Sequence, residues 1–171
     1  MEIGIPREIK DREGRVSLTP EAVRQLVSDG HTVKVEKDAG VGSGFQDHEY
    51  LDAGALIVDV EKAWKSDLVI KVKEPLPSEY PYLKDQILFT FLHLSGVDPK
   101  LTDALLAGGT TGIAYETLEA PDGSLPILAP MSAVAGNMAA LEGAYYLAKS
   151  QGGKGVQLGQ VLGQRHGKVL V

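Results

Sequence analysis

Apolar residues along the chain fall into short runs of β type that alternate with amphipathic stretches of helical type. Residues 2–6 form the first apolar run, which a proline ends. In residues 19–31 the apolar positions recur at helical spacing, with Thr19 placed as N-cap, Pro20 in the first turn and Gly30 just past the end. The chain therefore opens with a predicted strand followed by a predicted helix.

The same alternation continues through the next eighty residues. It predicts an α/β fold with a doubly wound, mostly parallel, Rossmann-like sheet whose helices cover its faces. The further strands are predicted at residues 32–36, 55–59, 67–73, 86–94 and 110–116, and the helices between them at 47–54, 60–66 and 98–109.

The longest helical pattern follows at residues 132–149. Val134, Met138, Leu141 and Tyr145 share one stripe of this pattern, and small residues lie beside the stripe, which favours close packing against another helix. We interpret it as an interdomain helix. The predicted organisation is a substrate-binding domain at 1–130, this long C-terminal linker helix at 131–150, and a linker at 151–171 that leads into the first strand of a dinucleotide-binding domain.

Glycines recur every four residues in the tail, at positions 155, 159, 163 and 167. A phosphate loop is not expected here, since no strand comes before the glycines and Lys168 is followed by Val169 rather than by Ser or Thr. An ordered linker fits better. Residues 168–171, "KVLV", are predicted to begin a buried strand that the chain does not finish, which suggests a fragment.

Composition narrows the class of protein further. The chain has 171 residues and a net charge of −6, so bulk electrostatics gives a nucleic-acid partner no support. The absence of cysteine removes disulfides and thiolate metal sites, and no metal site is predicted. No stretch has the length of a signal peptide's apolar core or of a membrane span. We therefore expect a cytoplasmic protein that does not bind a membrane.

Ionisable residues lie at or just after the ends of four predicted strands: Arg15, Lys73, His93 and Glu116. Ligands of doubly wound sheets bind beyond these carboxyl ends, and two cations beside a histidine suit a small carboxylate substrate. Each residue also has a structural interpretation. Arg15 could be a solvated loop charge, Lys71 and Lys73 could mark an exposed edge strand, His93 could be a core histidine, and Glu116 could pair locally.

The blocks "GIPREIKDREGRVSLTP", "KVKEPLPSEY", "ILFTFLHL", "IAYET" and "LPILAPMSAVAG" resemble the N-terminal half of alanine dehydrogenases. The resemblance covers nearly the whole chain. It implies one half of a two-domain, usually hexameric enzyme that uses NAD to interconvert L-alanine and pyruvate plus ammonia. The family's dinucleotide fingerprint and its catalytic aspartate would follow residue 171.

Site residues carry over by position in these blocks. The resemblance implies that Arg15 binds the substrate carboxylate, that Lys73 binds substrate and takes part in catalysis, that His93 is the catalytic histidine, and that Ser132 lies against the NAD cofactor. The linker departs from the family pattern at three positions, which puts its usual conformation in doubt: Gln160, Leu162 and Gln164.

Two other functions remain open from the sequence. The nucleotide-binding α subunit of proton-translocating transhydrogenase has a similar opening motif, although it has no amino acid to deaminate, which makes Lys73 and His93 hard to explain. The other alternative is a stand-alone module that binds a small acid without redox activity.

Overall fold

A six-stranded sheet forms the centre of the first of two compact units, Met1–Leu118. The structure is a computed structural model that describes residues 1–165. Its strands are β1 (Glu2–Ile5), β2 (Thr32–Glu36), β3 (Leu56–Val58), β4 (Leu68–Ile70), β5 (Ile87–Thr90) and β6 (Thr111–Ala114). The order across the sheet is β3-β2-β1-β4-β5-β6, and all five neighbouring pairs are parallel. The predicted doubly wound, parallel sheet is confirmed.

The sheet changes its direction of growth between β1 and β4. These two strands pair with Ile3 opposite Leu68 and Gly4 opposite Val69. The strands that come earlier in the chain extend the sheet to one side of this pair, and those that come later extend it to the other. In a doubly wound sheet such a switch point leaves a crevice at the carboxyl edge, because the loops leaving the two strands diverge onto opposite faces.

Helices connect the parallel strands. Thr19 caps the first of them as predicted, since its Oγ1 accepts the N–H of Ala22 at 3.3 Å. Gly4 allows the third helix, which contains Ala63, to pack directly on β1. A Cβ at position 4 would lie 1.8 Å from the carbonyl oxygen of Ala63. The four helices are α1 (Pro20–Ser28), α2 (Asp47–Asp52), α3 (Val60–Trp64) and α4 (Lys100–Ala107).

The core beneath α3 and α4 is apolar. Val69 and Leu88 of the two neighbouring strands are fully buried, and they belong to one cluster with Trp64, Leu101 and Leu105 of the helices. Burying each such side chain stabilises a fold by roughly 1.5–3 kcal/mol. The packed core fixes β4 and β5 side by side, and with them the loops that leave their carboxyl ends.

The second unit begins at Glu119. Its long helix α5 (Leu128–Leu147) begins four residues before the predicted start and ends two residues before the predicted end. A short hairpin lies in the tail, within the predicted linker. Two short strands, β7 (Gln160–Val161) and β8 (Gln164–Arg165), pair antiparallel around a turn in which Leu162 and Gly163 have φ of 50° and 80°. Two positive φ angles in a row are typical of a tight hairpin turn.

The strand predicted at residues 168–171 lies outside the described residues. Among residues 1–165, no helix has both the length and the apolar character needed to cross a membrane.

Candidate functional site

The residues predicted at strand ends lie along one edge of the sheet. Arg15 follows β1, Lys73 follows β4, His93 follows β5 and Glu116 follows β6. Because all six strands are parallel, their carboxyl ends meet at the same edge. Arg15 and Lys73 therefore belong to the two loops that flank the switch point, and His93 belongs to the loop next to them.

A cleft of about 390 Å³ lies at this edge beside Arg15. A larger one, of about 720 Å³, lies at the opposite edge and is lined by Glu2, Trp64 and Asp67, where the strands begin. We assign the candidate site to the smaller cleft, because ligands of doubly wound sheets bind at the carboxyl edge. Its lining includes Arg7, Glu8, Glu13, Arg15, Asp38 and Val41.

Arg15 holds a carboxylate of its own chain. Its Nε donates to Glu13 Oε1 at 2.8 Å and its Nη2 donates to Oε2 at 2.6 Å, while its backbone N–H donates to Oε1 at 2.9 Å. This is the two-pronged geometry by which arginine recognises carboxylates. The Glu13 side chain is 8% exposed and that of Arg15 is 47% exposed. Arg15 is therefore an exposed loop residue that lines the cleft and pairs with a carboxylate there.

The backbone of Lys73 is held on both sides. Its N–H donates to Glu8 Oε1 at 3.3 Å, and the preceding N–H of Val72 donates to the same oxygen at 2.6 Å. Its carbonyl accepts the hydroxyl of the fully buried Thr90 at 2.9 Å. The lysine that the resemblance assigns to substrate therefore starts from a fixed main chain, and its half-exposed side chain acts electrostatically on Glu13.

Lys71 lies in a buried ionic cluster. Its Nζ is 2.7 Å from Glu79 Oε1 and 3.5 Å from Glu8 Oε2, and it lies 5.6 Å from the centroid of the Trp64 ring. The Lys71 side chain is 1% exposed. The edge-strand interpretation of Lys71 and Lys73 is wrong, because β4 lies inside the sheet between β1 and β5.

His93 is exposed, so the core interpretation of this residue is wrong. Its imidazole stacks on the ring of Phe91, with centroids 5.6 Å apart and planes 9° from parallel. Its backbone has φ of 48°, in the left-handed region that few non-glycine residues adopt. The backbone N–H donates to Glu116 Oε1 at 2.7 Å. Glu116 is 23 residues from His93 in sequence, so this contact is not the local pairing that one interpretation of the sequence suggested.

Three glutamates therefore bind the backbone of three candidate site residues, Arg15, Lys73 and His93. Glu13 accepts the N–H of Arg15, Glu8 that of Lys73, and Glu116 that of His93. Sequence reasoning missed Glu8, Glu13 and Thr90. Glu13 could have been found from its position two residues before Arg15, whereas Glu8 and Thr90 reach Lys73 only through the pairing of distant strands.

The surroundings shift the pKa values of two carboxyl groups at this edge in opposite directions. Hydrogen bonds from the Arg15 side chain lower the pKa of Glu13, and the charges of Arg15 and Lys73 add to this effect. Burial raises the pKa of Glu8, although the charge of Lys71 and two backbone N–H groups oppose the shift. Burial likewise raises the pKa of Tyr115, which lies beneath Phe91.

Ser132, the residue that the resemblance places against the cofactor, lies in the second unit. It is exposed in α5, and its hydroxyl makes no hydrogen bond within residues 1–165. No three acidic or histidine side chains in the same described range come together as a metal site.

The parallel sheet, its switch point and the charged loops beside it define an α/β domain of the doubly wound class. A family model described as alanine dehydrogenase/PNT, N-terminal domain, matches residues 4–135. The chain belongs to this family, and the resemblance drawn from its sequence blocks is confirmed.

Named relatives agree with this assignment. The alanine dehydrogenase of Staphylococcus haemolyticus (strain JCSC1435) is 55% identical over 173 residues, covering 100% of this chain and 46% of the relative. Alanine dehydrogenase 2 of Staphylococcus aureus (strain USA300) is 56% identical over 173 residues, with the same coverage of 100% and 46%. The chain thus spans about half the length of the curated relatives it matches.

Solved structures of two related proteins also match this chain. An L-alanine dehydrogenase matches with a TM-score of 0.86 and 52% identity, over 98% of this chain and 46% of its own. A transhydrogenase from Sinorhizobium meliloti matches with a TM-score of 0.64 and 31% identity, over 68% of this chain and 35% of its own. The match to the transhydrogenase is therefore the more distant of the two.

Proposed function

We propose that the chain is the substrate-binding half of an NAD-dependent alanine dehydrogenase. The overall reaction converts L-alanine, NAD⁺ and water to pyruvate, ammonium, NADH and a proton, and it is reversible. The main support is the position of Arg15 and Lys73 in the two loops that flank the switch point, with His93 in the next loop. The names of the relatives point to the same reaction.

Arg15 and Lys73 are the proposed binding groups. The guanidinium of Arg15 already pairs with one carboxylate, that of Glu13, and a substrate carboxylate is expected to bind to the same group. Lys73 is expected to bind beside it and to polarise the carbon–oxygen or carbon–nitrogen bond at the reacting carbon. Both residues lie in loops with several fixed backbone atoms, which favours a defined substrate orientation.

His93 is the proposed proton carrier. Loss of hydride from the α-carbon of alanine leaves an iminium carbon that water can attack. The exposed imidazole would take a proton from that water and return one to the departing nitrogen, so that ammonia leaves and pyruvate forms. Histidine suits both transfers because its unperturbed pKa is about 6.5.

NAD, when bound, accepts the hydride. Of the residues in this chain, only Ser132 is assigned to the cofactor, and its exposed, unbonded hydroxyl within residues 1–165 fits a polar contact. The 171 residues contain no GxGxxG fingerprint. We expect this fingerprint and the catalytic aspartate in the other half of the enzyme, and we expect the 171-residue chain alone to bind NADH poorly and to reduce no NAD.

The proposal also includes the domain boundaries, the cellular location and the oligomeric state. The domain boundaries at 130/131 and 150/151, a cytoplasmic location and a hexamer remain predictions from the sequence and the family resemblance. Sedimentation of the enzyme described next would measure its assembly.

The test is a hybrid enzyme in which residues 1–171 are joined to the remaining half of one of the staphylococcal relatives. We expect L-alanine-dependent reduction of NAD. We also expect His93→Ala to lower kcat by roughly 10²- to 10⁴-fold and Lys73→Ala to raise the KM for pyruvate. Lys62→Ala, which removes an exposed cation from α3, serves as the control. A folded hybrid without alanine-dependent activity, or with near-normal kcat after His93→Ala, would contradict the proposal.

A further inference from the structure

The turn that carries His93 has an unfavourable backbone. At a φ of 48° the backbone of His93 is in the left-handed region, which is unfavourable for a residue with a β-carbon. The carbonyl of His93 accepts the N–H of Gly96 at 2.8 Å, which closes a short turn behind it. A conformation of this kind persists only where surrounding groups hold it in place.

Glu116 is the group that holds it. Its Oε1 accepts the His93 N–H at 2.7 Å, and its two oxygens lie 3.2 and 3.3 Å from the N–H of Leu92. Two successive backbone N–H groups thus converge on a single carboxylate, in the concave arrangement that binds anions. Hydrogen bonds to a charged acceptor are stronger than those between neutral groups. They therefore hold the backbone of this turn in its left-handed conformation.

The residue next to Glu116 supports the imidazole itself. The ring of Tyr115 packs edge-on against Phe91, with centroids 5.1 Å apart and planes at 86°. Phe91 in turn carries the His93 ring in a parallel stack. The short helical turn after β6 therefore fixes His93 twice, through its backbone by way of Glu116 and through its ring by way of Tyr115 and Phe91.

We propose that Glu116 is a positioning residue for His93. Its carboxylate holds the histidine backbone in the left-handed conformation, and this sets the direction of the imidazole at the carboxyl edge. In this role Glu116 acts on the reaction only through His93. The inference rests on the proposed role of His93. It also gives a function to Glu116, the glutamate after β6 that the sequence placed among the candidate site residues.

A double-mutant cycle in the hybrid enzyme tests the proposal. Because misplacement of a catalytic group by about 1 Å can cost roughly 10²-fold, we expect Glu116→Ala to lower kcat by roughly 10- to 100-fold. The KM for pyruvate should change by less than about twofold, since Lys73 and Arg15 remain in place. In a His93→Ala background the same change should lower kcat no further, because Glu116 acts through His93. Glu116→Gln keeps an acceptor oxygen and should recover part of the loss.

The outcomes distinguish the positioning role of Glu116 from the catalytic role of His93. A normal kcat for Glu116→Ala, or an equal further fall in the His93→Ala background, would overturn the positioning role while the role of His93 stands. A normal kcat for His93→Ala would overturn the proposed function, and the positioning role with it.

Amide hydrogen exchange in the 171-residue chain provides a readout that is independent of activity. Loss of the carboxylate acceptor in Glu116→Ala should speed exchange of the His93 amide by roughly tenfold or more, which corresponds to about 1.4 kcal/mol. The amides of Val69 and Leu88 should stay protected, which confirms folding. Glu119→Ala, three residues further along and exposed, is the matched control. Unchanged exchange at His93 in a folded Glu116→Ala chain would also overturn the positioning role.

Discussion

The loops that carry Lys73 and His93 follow neighbouring strands and are held by the same device, yet their surroundings differ. In each loop one glutamate accepts two successive backbone N–H groups, Glu8 at residues 72 and 73 and Glu116 at residues 92 and 93. The Glu8 side chain is 3% exposed and pairs with the buried Lys71. The His93 loop is exposed and has a left-handed residue at its centre.

The difference matches the two roles proposed for these residues. A group that binds and orients substrate gains from a rigid base, because productive geometry depends on small displacements. A group that exchanges protons must reach substrate and water, and an exposed histidine on a supported turn does so. The comparison therefore predicts that the Lys73 loop depends mainly on buried charges and that the His93 loop depends mainly on local backbone conformation.

The largest expected effect comes from removing the cation at the centre of the buried cluster. Lys71→Met leaves Glu8 and Glu79 without their shared partner, and uncompensated buried charges destabilise a fold by roughly 3–5 kcal/mol. Urea unfolding measures the loss. Lys62→Met removes a lysine of the exposed pair with Asp59 and should change stability by less than about 1 kcal/mol. Equal effects of the two changes would show that the cluster is not what stabilises the Lys73 loop.

A smaller effect is expected from the hydroxyl that holds the Lys73 carbonyl. Thr90→Val keeps the shape of a fully buried side chain but leaves that carbonyl without its donor, at a cost of roughly 1–3 kcal/mol. We also expect a higher KM for pyruvate in the hybrid enzyme, with little change in kcat. Thr111→Val is the control, since that threonine is exposed at the start of β6. A Thr90→Val variant with unchanged stability and a normal KM would show that the Thr90 hydroxyl does not hold Lys73 in place.

The pH dependence of stability should distinguish Glu8 from Glu13. The pKa of Glu8 is raised above 4.5, so the folded state binds its proton more tightly than the unfolded chain, and the free energy of unfolding falls as pH rises above about 4.5. The pKa of Glu13 is lowered, so its contribution to stability is lost as pH falls below about 4.5. Neither slope can exceed about 1.4 kcal/mol per pH unit.

Urea unfolding across this pH range, with Glu8→Gln and Glu13→Gln beside the parent chain, measures both slopes. Relative to the parent, the Glu8→Gln variant should gain stability as pH rises through the window above 4.5. The Glu13→Gln variant should lose relative stability as pH rises toward 4.5 from below. Slopes of the same sign for the two variants would contradict the assignment of burial to Glu8 and of ion pairing to Glu13.

The sequence predicts the fold well because alternation is a local property. Strands and helices were recognised from spacing, and parallel strands then placed Arg15, Lys73 and His93 along one edge. The partners of these residues were harder to predict. Glu8 and Thr90 are 65 and 17 residues away from Lys73 in sequence, and only strand pairing brings them together. The burial of Lys71 was missed for a related reason, since strand alternation does not show which strands lie inside the sheet.

The smallest expected effect concerns the backbone of the His93 loop. At φ of 48° glycine has no β-carbon to clash, so His93→Gly should be more stable than His93→Ala by about 1 kcal/mol. Comparing two variants that both lack the imidazole separates backbone conformation from side-chain packing. At the exposed neighbour Leu94, whose φ is not positive, the order should reverse, with Leu94→Gly less stable than Leu94→Ala by roughly 0.4–1 kcal/mol. Urea unfolding of the four variants gives both differences. If His93→Gly were also less stable than His93→Ala, the turn would not be left-handed in solution. The proposed difference between the His93 loop and the Lys73 loop would then be wrong.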